Sequence, residues 1–184
     1  MSSFGALAHI RYVVSKRLGI KRVKIGHAGT LDPLATGVLV LCTGKKTKLI
    51  ETLQAHTKEY VASLQFGATT VSYDREHTVN HTYPKNHITR EGLQDVLPQF
   101  VGDIMQVPPL FSACNINGKR AYEIGRKGES VELEAKRIRI DEIELLDFDD
   151  DKKTAKLRVV CGKGTYIRSL ARDIGRALDS GAFL

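Results

Sequence analysis

The chain of 184 residues has no tryptophan, 3 cysteines, 2 methionines and 5 prolines, and each scarcity excludes something. Cys42, Cys114 and Cys161 are odd in number and widely spaced, with no Cys-x-x-Cys. Neither a disulfide framework nor a zinc site is built that way, so each is expected to pack as a small hydrophobe in a reducing cytoplasm. No apolar run approaches the roughly 18 residues that span a bilayer. The longest, Val38 to Cys42, is strand-sized. Met1-Ser2-Ser3-Phe4-Gly5 lacks the basic-then-apolar order of a secretory signal. Gly44-Lys45-Lys46-Thr47 and Gly162-Lys163-Gly164-Thr165 both miss the phosphate-loop spacing. No His-Glu-x-x-His, no clustered metal ligands and no Gly-x-Ser-x-Gly occur. A nucleoside triphosphatase, a zinc protease and a serine hydrolase are thereby set aside, and there is no internal repeat.

What is present fits a single soluble domain over 1–184. Hydrophobic residues make up 42% and charged residues 27%, ordinary values for a chain able to bury a core. The net charge is +7, unevenly spread. Residues 1–60 hold 10 Lys and Arg against 3 Asp and Glu, residues 61–160 hold 14 against 16, and residues 161–184 hold 4 against 2. A basic first third points to a polyanionic partner, most simply nucleic acid.

Periodicity supplies the elements. Phe4, Leu7, Ala8, Val14 and Leu18 recur at helical spacing, with Ser2 or Ser3 as N-cap and Gly19 as terminator. Val38 to Cys42 reads as a buried strand and Lys46 to Gln54 as a short helix. Tyr60, Ala62, Leu64 and Phe66 alternate with polar neighbours, as in a half-buried strand. Residues 69–87 are polar and read as an exposed connection, and Thr89 caps a helix over Glu91 to Leu97. Val107-Pro108-Pro109-Leu110 excludes helix and central strand, and Gly118 to Gly128 reads as a basic helix around Tyr122 and Ile124. Val131 to Phe148 reads as two strands, 149–153 as a hairpin tip and Ala155 to Cys161 as the returning strand. After the turn at 162–165, Ile167, Leu170, Ala171, Ile174 and Leu178 form the stripe of a last helix. Strands outnumber crossover helices, so the expected fold is α+β, with a mixed, mainly antiparallel sheet flanked by helices.

One segment has neither period. Residues 26–37, Gly-His-Ala-Gly-Thr-Leu-Asp-Pro-Leu-Ala-Thr-Gly, hold one carboxylate, one imidazole and three glycines. Asp32 precedes Pro33, which biases its backbone away from the α region. Such a loop presents a carboxylate at a fixed place; the plainer alternative is an Asp-Pro turn that only reverses the chain.

Residues 27–39, His-Ala-Gly-Thr-Leu-Asp-Pro-Leu-Ala-Thr-Gly-Val-Leu, resemble the catalytic motif of the bacterial TruB family of tRNA pseudouridine synthases. Three further segments agree in order: Lys58-Glu59-Tyr60; Pro108-Pro109-Leu110-Phe111-Ser112-Ala113 with Gly118-Lys119-Arg120-Ala121-Tyr122-Glu123; and Cys161-Gly162-Lys163-Gly164-Thr165-Tyr166-Ile167-Arg168-Ser169-Leu170. The resemblance spans essentially the whole chain. It implies the pseudouridine synthase fold, an RNA-gripping insertion at 106–129, and isomerisation of the T-loop uridine at tRNA position 55 with the base flipped out. Asp32 matches the essential aspartate, which either traps the sugar or base or takes a proton from the sugar. Arg168 matches the arginine paired with it. Tyr60 matches the tyrosine that stacks on the uracil, Tyr166 a second pocket residue, and His27 a histidine touching displaced bases. Lys21, Arg22, Lys24, Lys45, Lys46, Lys48, Lys119 and Arg120 are candidate phosphate contacts. Neither a cofactor nor a metal is implied. The implied partner is the tRNA T stem-loop, bound by a cytoplasmic monomer with no membrane, guide RNA or obligatory protein partner.

Against that family pattern the chain is expected to be short at both ends. It begins after the point of the usual Lys-Pro-x-Gly strand, and it stops before the Leu-Arg-Arg-Thr-like pocket strand and the small tail domain. Asn115 stands where members often carry lysine. The missing strands favour an alternative reading, a non-catalytic RNA-binding or tRNA-folding module; the retained Asp32, Tyr60 and Arg168 favour the enzyme. A guide-RNA-dependent relative is disfavoured by the Gly-Lys-Arg-Ala-Tyr-Glu segment.

Overall fold

A computed structural model describes residues 1–112, 114–116, 119–121, 125 and 133–184, without the side chains of 115, 116, 119 and 120. These pack as two compact units, Met1–His56 and Thr57–Leu184.

The first unit opens with helix α1, Ser3–Leu18, ended by Gly19 in the left-handed conformation. The Ser2 hydroxyl accepts from the Gly5 amide at 3.1 Å, a cap that contributes about 1 kcal/mol. Of the expected apolar stripe only Leu7 is buried, whereas Phe4 and Leu18 are 66% and 63% exposed. The reason is that the unit's core is small: Leu7, Val23 and Ile25, with Val14 and Leu41 against them. Strands β1 (Ile25–His27) and β2 (Leu41–Thr43) pair antiparallel, Ile25 opposite Thr43 and His27 opposite Leu41. The buried strand expected over Val38 to Cys42 is therefore corrected. The ladder ends where β1 ends, and Val38 is left 87% exposed. A 3-10 turn over Gly44–Leu49 leads straight into α2, Ile50–Ala55, where one helix over Lys46 to Gln54 was expected.

The second unit continues with β3 (Lys58–Phe66), β4 (Ala68–Thr70), β5 (Val79–Thr82), α3 (Arg90–Val96), β6 (Gly102–Gln106), β7 (Asn115–Ile116), β8 (Lys119–Arg120), β9 (Lys136–Asp149), β10 (Thr154–Cys161), α4 (Ile167–Ala177) and β11 (Ala182–Phe183). Its main sheet has the order β11-β3-β10-β9-β6, and every pairing among the described residues is antiparallel. Alternation places Ala62, Leu64, Phe66, Ala155, Leu157, Val159 and Cys161 on one face, against Leu170, Ala171 and Ile174 of α4 and Leu93 of α3. Each fully buried leucine or isoleucine there contributes roughly 2 kcal/mol. The α+β class, the antiparallel sheet and the caps at Ser2 and Thr89 agree with the sequence reading.

Three expectations change. The described part of 131–148 is one strand of 14 residues, not two. It carries two register shifts, which absorb two extra residues as bulges and bend the strand without breaking it. Residues 69–87 are not a plain exposed connection: they form β4 and β5 and bury Thr70, Ser72 and Asp74. Lys119 and Arg120 lie in a strand paired with Asn115 and Ile116 rather than in a helix. Most of the remaining Gly118–Gly128 segment, Tyr122 and Ile124 included, is outside the described residues. At the sheet edge Ala182 and Phe183 pair with Phe66 and Gln65 of β3.

The return from α4 to β11 depends on one close approach. A Cβ on Gly175 would lie 2.5 Å from the Ala182 nitrogen and 2.7 Å from the Gly181 carbonyl carbon. Helix propensity alone makes Gly175→Ala stabilising by about 1 kcal/mol; the backbone clash makes it destabilising by about 2 kcal/mol. Thermal denaturation of G175A should therefore show a lowered midpoint, and a raised one would mean that the contact yields freely.

Candidate functional site

In the first unit β1 and β2 close the base of the loop over 28–40, with the Ala28 amide donating to the Val40 carbonyl at 2.9 Å. His27 ends β1 and its Nδ1 bonds the Gly29 carbonyl. Gly29 and Gly37 stand at φ 152° and 150°, conformations that side-chain-bearing residues rarely adopt. The loop tip is anchored to α1: the Ser3 hydroxyl accepts from the Leu31 amide at 3.0 Å and donates to the Leu31 carbonyl at 3.2 Å. Asp32 follows, exposed, and its carbonyl accepts from the Ala35 amide at 3.0 Å in a turn. The loop is thus built to hold its backbone still while displaying Asp32.

The same unit brings two of the basic runs side by side. The Gly44 amide donates to the Lys24 carbonyl at 2.8 Å. Lys21, Arg22 and Lys24 thereby adjoin the 3-10 turn that carries Lys45, Lys46 and Lys48, and all six side chains are exposed. Arg11 of α1 reaches the Ile25 carbonyl at 3.3 Å and lines a shallow recess with Arg22 and Lys24. Only the backbone of Lys119 and Arg120 is described, and the remainder of the expected insertion falls largely outside the described residues.

In the second unit the sheet register gathers the other expected residues at one end. Lys58 opens β3 opposite Cys161, the last residue of β10, and Tyr60 lies opposite Val159. From Cys161 the chain turns through 162–165 to Tyr166, which sits at the N-cap position of α4, and then to Arg168. Tyr60 is half-buried and packs on the core. Tyr166 is half-buried, and its amide donates to Gln106 Oε1 at 2.9 Å. Partial burial pulls Lys58 below its ordinary pKa, and nearby Lys163 adds to the shift, against the opposing effect of Cys161.

Arg168 is 6% exposed. A guanidinium cannot shed its charge on burial, so its surroundings must answer it. Its Nη1 donates to the Phe111 carbonyl at 3.0 Å and the Ser72 carbonyl at 3.3 Å, and lies 3.5 Å from Asp74 Oδ2. Asp74, also 6% exposed, accepts at Oδ1 from the Ser72 hydroxyl at 2.6 Å and the Glu76 amide at 2.9 Å. Since the Ser72 proton is committed to Asp74, His77 Nδ1 donates to the Ser72 oxygen at 2.9 Å, and the imidazole packs on Phe111 at 4.8 Å.

One helical turn on, Arg172 pairs with Asp173 at 2.8 and 3.1 Å, donates to the Val107 carbonyl at 3.0 Å and lies over the Tyr73 ring at 5.2 Å. Burial pulls the Arg172 pKa down, but the bonded Asp173 carboxylate outweighs it and the net shift is upward. Arg168 and Arg172 together clamp the 107–111 segment and the 72–74 loop to α4.

Sequence reasoning names Asp32, His27, Tyr60, Tyr166 and Arg168 as candidates; it does not name Ser3 as a loop anchor, nor Ser72, Asp74, Gln106 and Arg172, which the structure ties to these segments. Asp74 was hidden because a polar stretch reads as solvated until its buried cation is known. Gln106 was masked by the neighbouring prolines. Cys114 departs from the expectation of plain packing: it is partly exposed, and its sulfur accepts from Lys136 Nζ at 3.1 Å, whereas Cys42 and Cys161 are buried. Burial pushes the Cys161 thiol up.

A family model described as TruB family pseudouridylate synthase (N terminal domain) matches residues 16–167. The tRNA pseudouridine synthase B of Bacteroides thetaiotaomicron is 63% identical over 185 residues, covering 100% of this chain and 77% of that protein. The protein of the same name from Phocaeicola vulgatus is 60% identical over 183 residues, with the same coverage. Among solved structures, a chain in the crystal structure of a Cbf5-Nop10-Gar1 complex superposes with a TM-score of 0.68 at 28% identity. A chain in the structure of an H/ACA RNP bound to a substrate RNA containing 2'-deoxyuridine superposes with a TM-score of 0.64 at 26% identity. This chain is covered fully in both, but spans only 43% and 41% of those two chains.

Removing one partner of a buried pair leaves the other charge uncompensated. Asp74→Ala should therefore destabilise the protein by roughly 3 kcal/mol. Asp103→Ala, whose Arg137 pair at 3.1 Å is exposed, should cost less than about 1 kcal/mol. Chemical denaturation of the two variants checks this; equal effects would mean that Asp74 does not answer Arg168.

Proposed function

The chain belongs to the TruB family of pseudouridylate synthases, and we infer that it works as a tRNA pseudouridine synthase, an isomerase of uridine in tRNA. The finer reading is action on the T-loop uridine at position 55 by a stand-alone cytoplasmic monomer. In it both compact units belong to one catalytic domain over 1–184, and 106–129 is the RNA-gripping insertion. The observation that carries it is the loop over 28–40: an exposed carboxylate, Asp32, on a backbone fixed at its base and at its tip.

The reaction breaks the bond from ribose C1′ to N1 and forms one from C1′ to C5; the C5 proton leaves and N1 gains one. Nothing is oxidised or hydrolysed, so the chemistry asks for a carboxylate, a cation, a base-stacking surface and an RNA grip. In this reading Asp32 is the carboxylate, and it adds to the nucleoside or deprotonates the sugar. Arg168 supplies the fixed positive charge, Tyr60 and Tyr166 bound the flipped uracil, and His27 meets displaced bases. Lys21, Arg22, Lys24, Lys45, Lys46 and Lys48 hold phosphates, and Lys119 and Arg120 do so from the insertion. Recognition is dominated by RNA shape.

A non-catalytic RNA-binding or tRNA-folding module is the other reading, and one assay separates the two. Tritium release from a T-arm RNA labelled at uracil C5 should be seen with the wild-type protein and fall by more than about 1,000-fold in Asp32→Asn, with RNA affinity retained. Equal turnover by D32N would remove Asp32 from the mechanism, and RNA binding with no release by the wild type would favour the module. Because phosphates carry the affinity, raising salt from about 50 to 200 mM should weaken binding by at least 10-fold. Changing both Lys45 and Lys46 to alanine should flatten that dependence, and an unchanged salt slope would take the two lysines out of the contact.

A further inference from the structure

We propose that Ser3 is the positioning residue of Asp32; the inference rests on the reading of Asp32 given above. Ser3 is the first residue of α1, yet its hydroxyl does not serve the helix, since Ser2 provides the cap. It is 8% exposed and is spent on a residue 28 positions away. It accepts from the Leu31 amide at 3.0 Å and donates to the Leu31 carbonyl at 3.2 Å.

The Leu31 carbonyl and the Asp32 nitrogen share one planar peptide unit. A bond to that carbonyl therefore orients the plane from which Asp32 starts. On the other side Pro33 restricts the Asp32 backbone, and the Asp32 carbonyl is engaged by the Ala35 amide at 3.0 Å. With the peptide planes on both sides of it fixed, the point from which the Asp32 side chain departs is set by where Ser3 holds Leu31. Misplacement of a reacting group by about 1 Å lowers rates by as much as ~100-fold, so a remote hydroxyl with this geometry controls turnover without touching RNA.

The test uses full-length protein carrying Ser3→Ala, Ser3→Thr and, in parallel, Asp32→Asn. Ser3→Ala should slow single-turnover tritium release by roughly 10- to 100-fold. Its RNA dissociation constant should stay within about 2-fold of wild type, and amide exchange at Leu31 should quicken as the protecting bond is lost. Ser3→Thr keeps the oxygen and should restore the rate to within about 3-fold of wild type. A wild-type rate in S3A, with D32N inactive, overturns the positioning role and leaves the reading of Asp32 intact. Equal slowness of S3A and S3T overturns it too, because the hydroxyl would then not be what matters. Full turnover by D32N sinks the reading of Asp32 and this inference with it.

Discussion

A permanently charged guanidinium placed in a protein interior dictates what surrounds it. Arg168 imposes that constraint on the second unit. Holding it required a buried carboxylate, Asp74, and carbonyls from two separate segments, Ser72 and Phe111. The 70–74 loop must therefore fold inward; Thr70 ties the backbone of Asp74 on both sides, at 2.7 and 3.1 Å. Tyr73 accepts a left-handed φ of 58° within it. The 107–112 segment, which its prolines keep out of any regular element, is fastened by the same helix: Ser169 and Arg172 both bond the Val107 carbonyl. The apolar side of α4 on the sheet provides the stability against which these polar requirements are met.

The first unit solves a different problem with less. Its core cluster is only Leu7, Val23 and Ile25 with two partly buried neighbours, and the order of its loop over 28–40 comes from hydrogen bonds and from restricted backbone: the closure at Ala28 and Val40, the reciprocal bonds of Ser3 and the Asp-Pro step. The unit leaves Asp32 and the lysines of its two basic runs exposed. Arg168 is buried in one unit, and Asp32 lies at the exposed surface of the other.

The parts of the fold that were legible share a local cause. The ends of α1 follow from Ser2 and Gly19, the start of α3 from Thr89, and strands β3 and β10 from strict alternation between Ala62 and Phe66 and between Ala155 and Cys161. The errors share a cause as well, namely that partners lie far away in sequence. Val38 looked like a core residue but has no strand opposite it. Leu146 and Asp141 hide two bulges inside one strand, because register exists only between strands. Strands β6 and β11 are too short to show a period, and Gln106 reveals nothing until Tyr166 is beside it.

The order of residues already states the chemistry on offer: one carboxylate in a glycine loop, one arginine after Gly-Thr-Tyr-Ile, two tyrosines, and a basic first third. It does so because motifs are contiguous and their residue types state what they can do. Which groups are buried, and what answers them, is fixed by packing between distant segments. That packing paired Asp74 with Arg168, turned a polar connection into a buried loop and sent the Ser3 hydroxyl to Leu31. Those outcomes depend on desolvation and on contacts between residues 28 to 96 positions apart, and no local pattern encodes them.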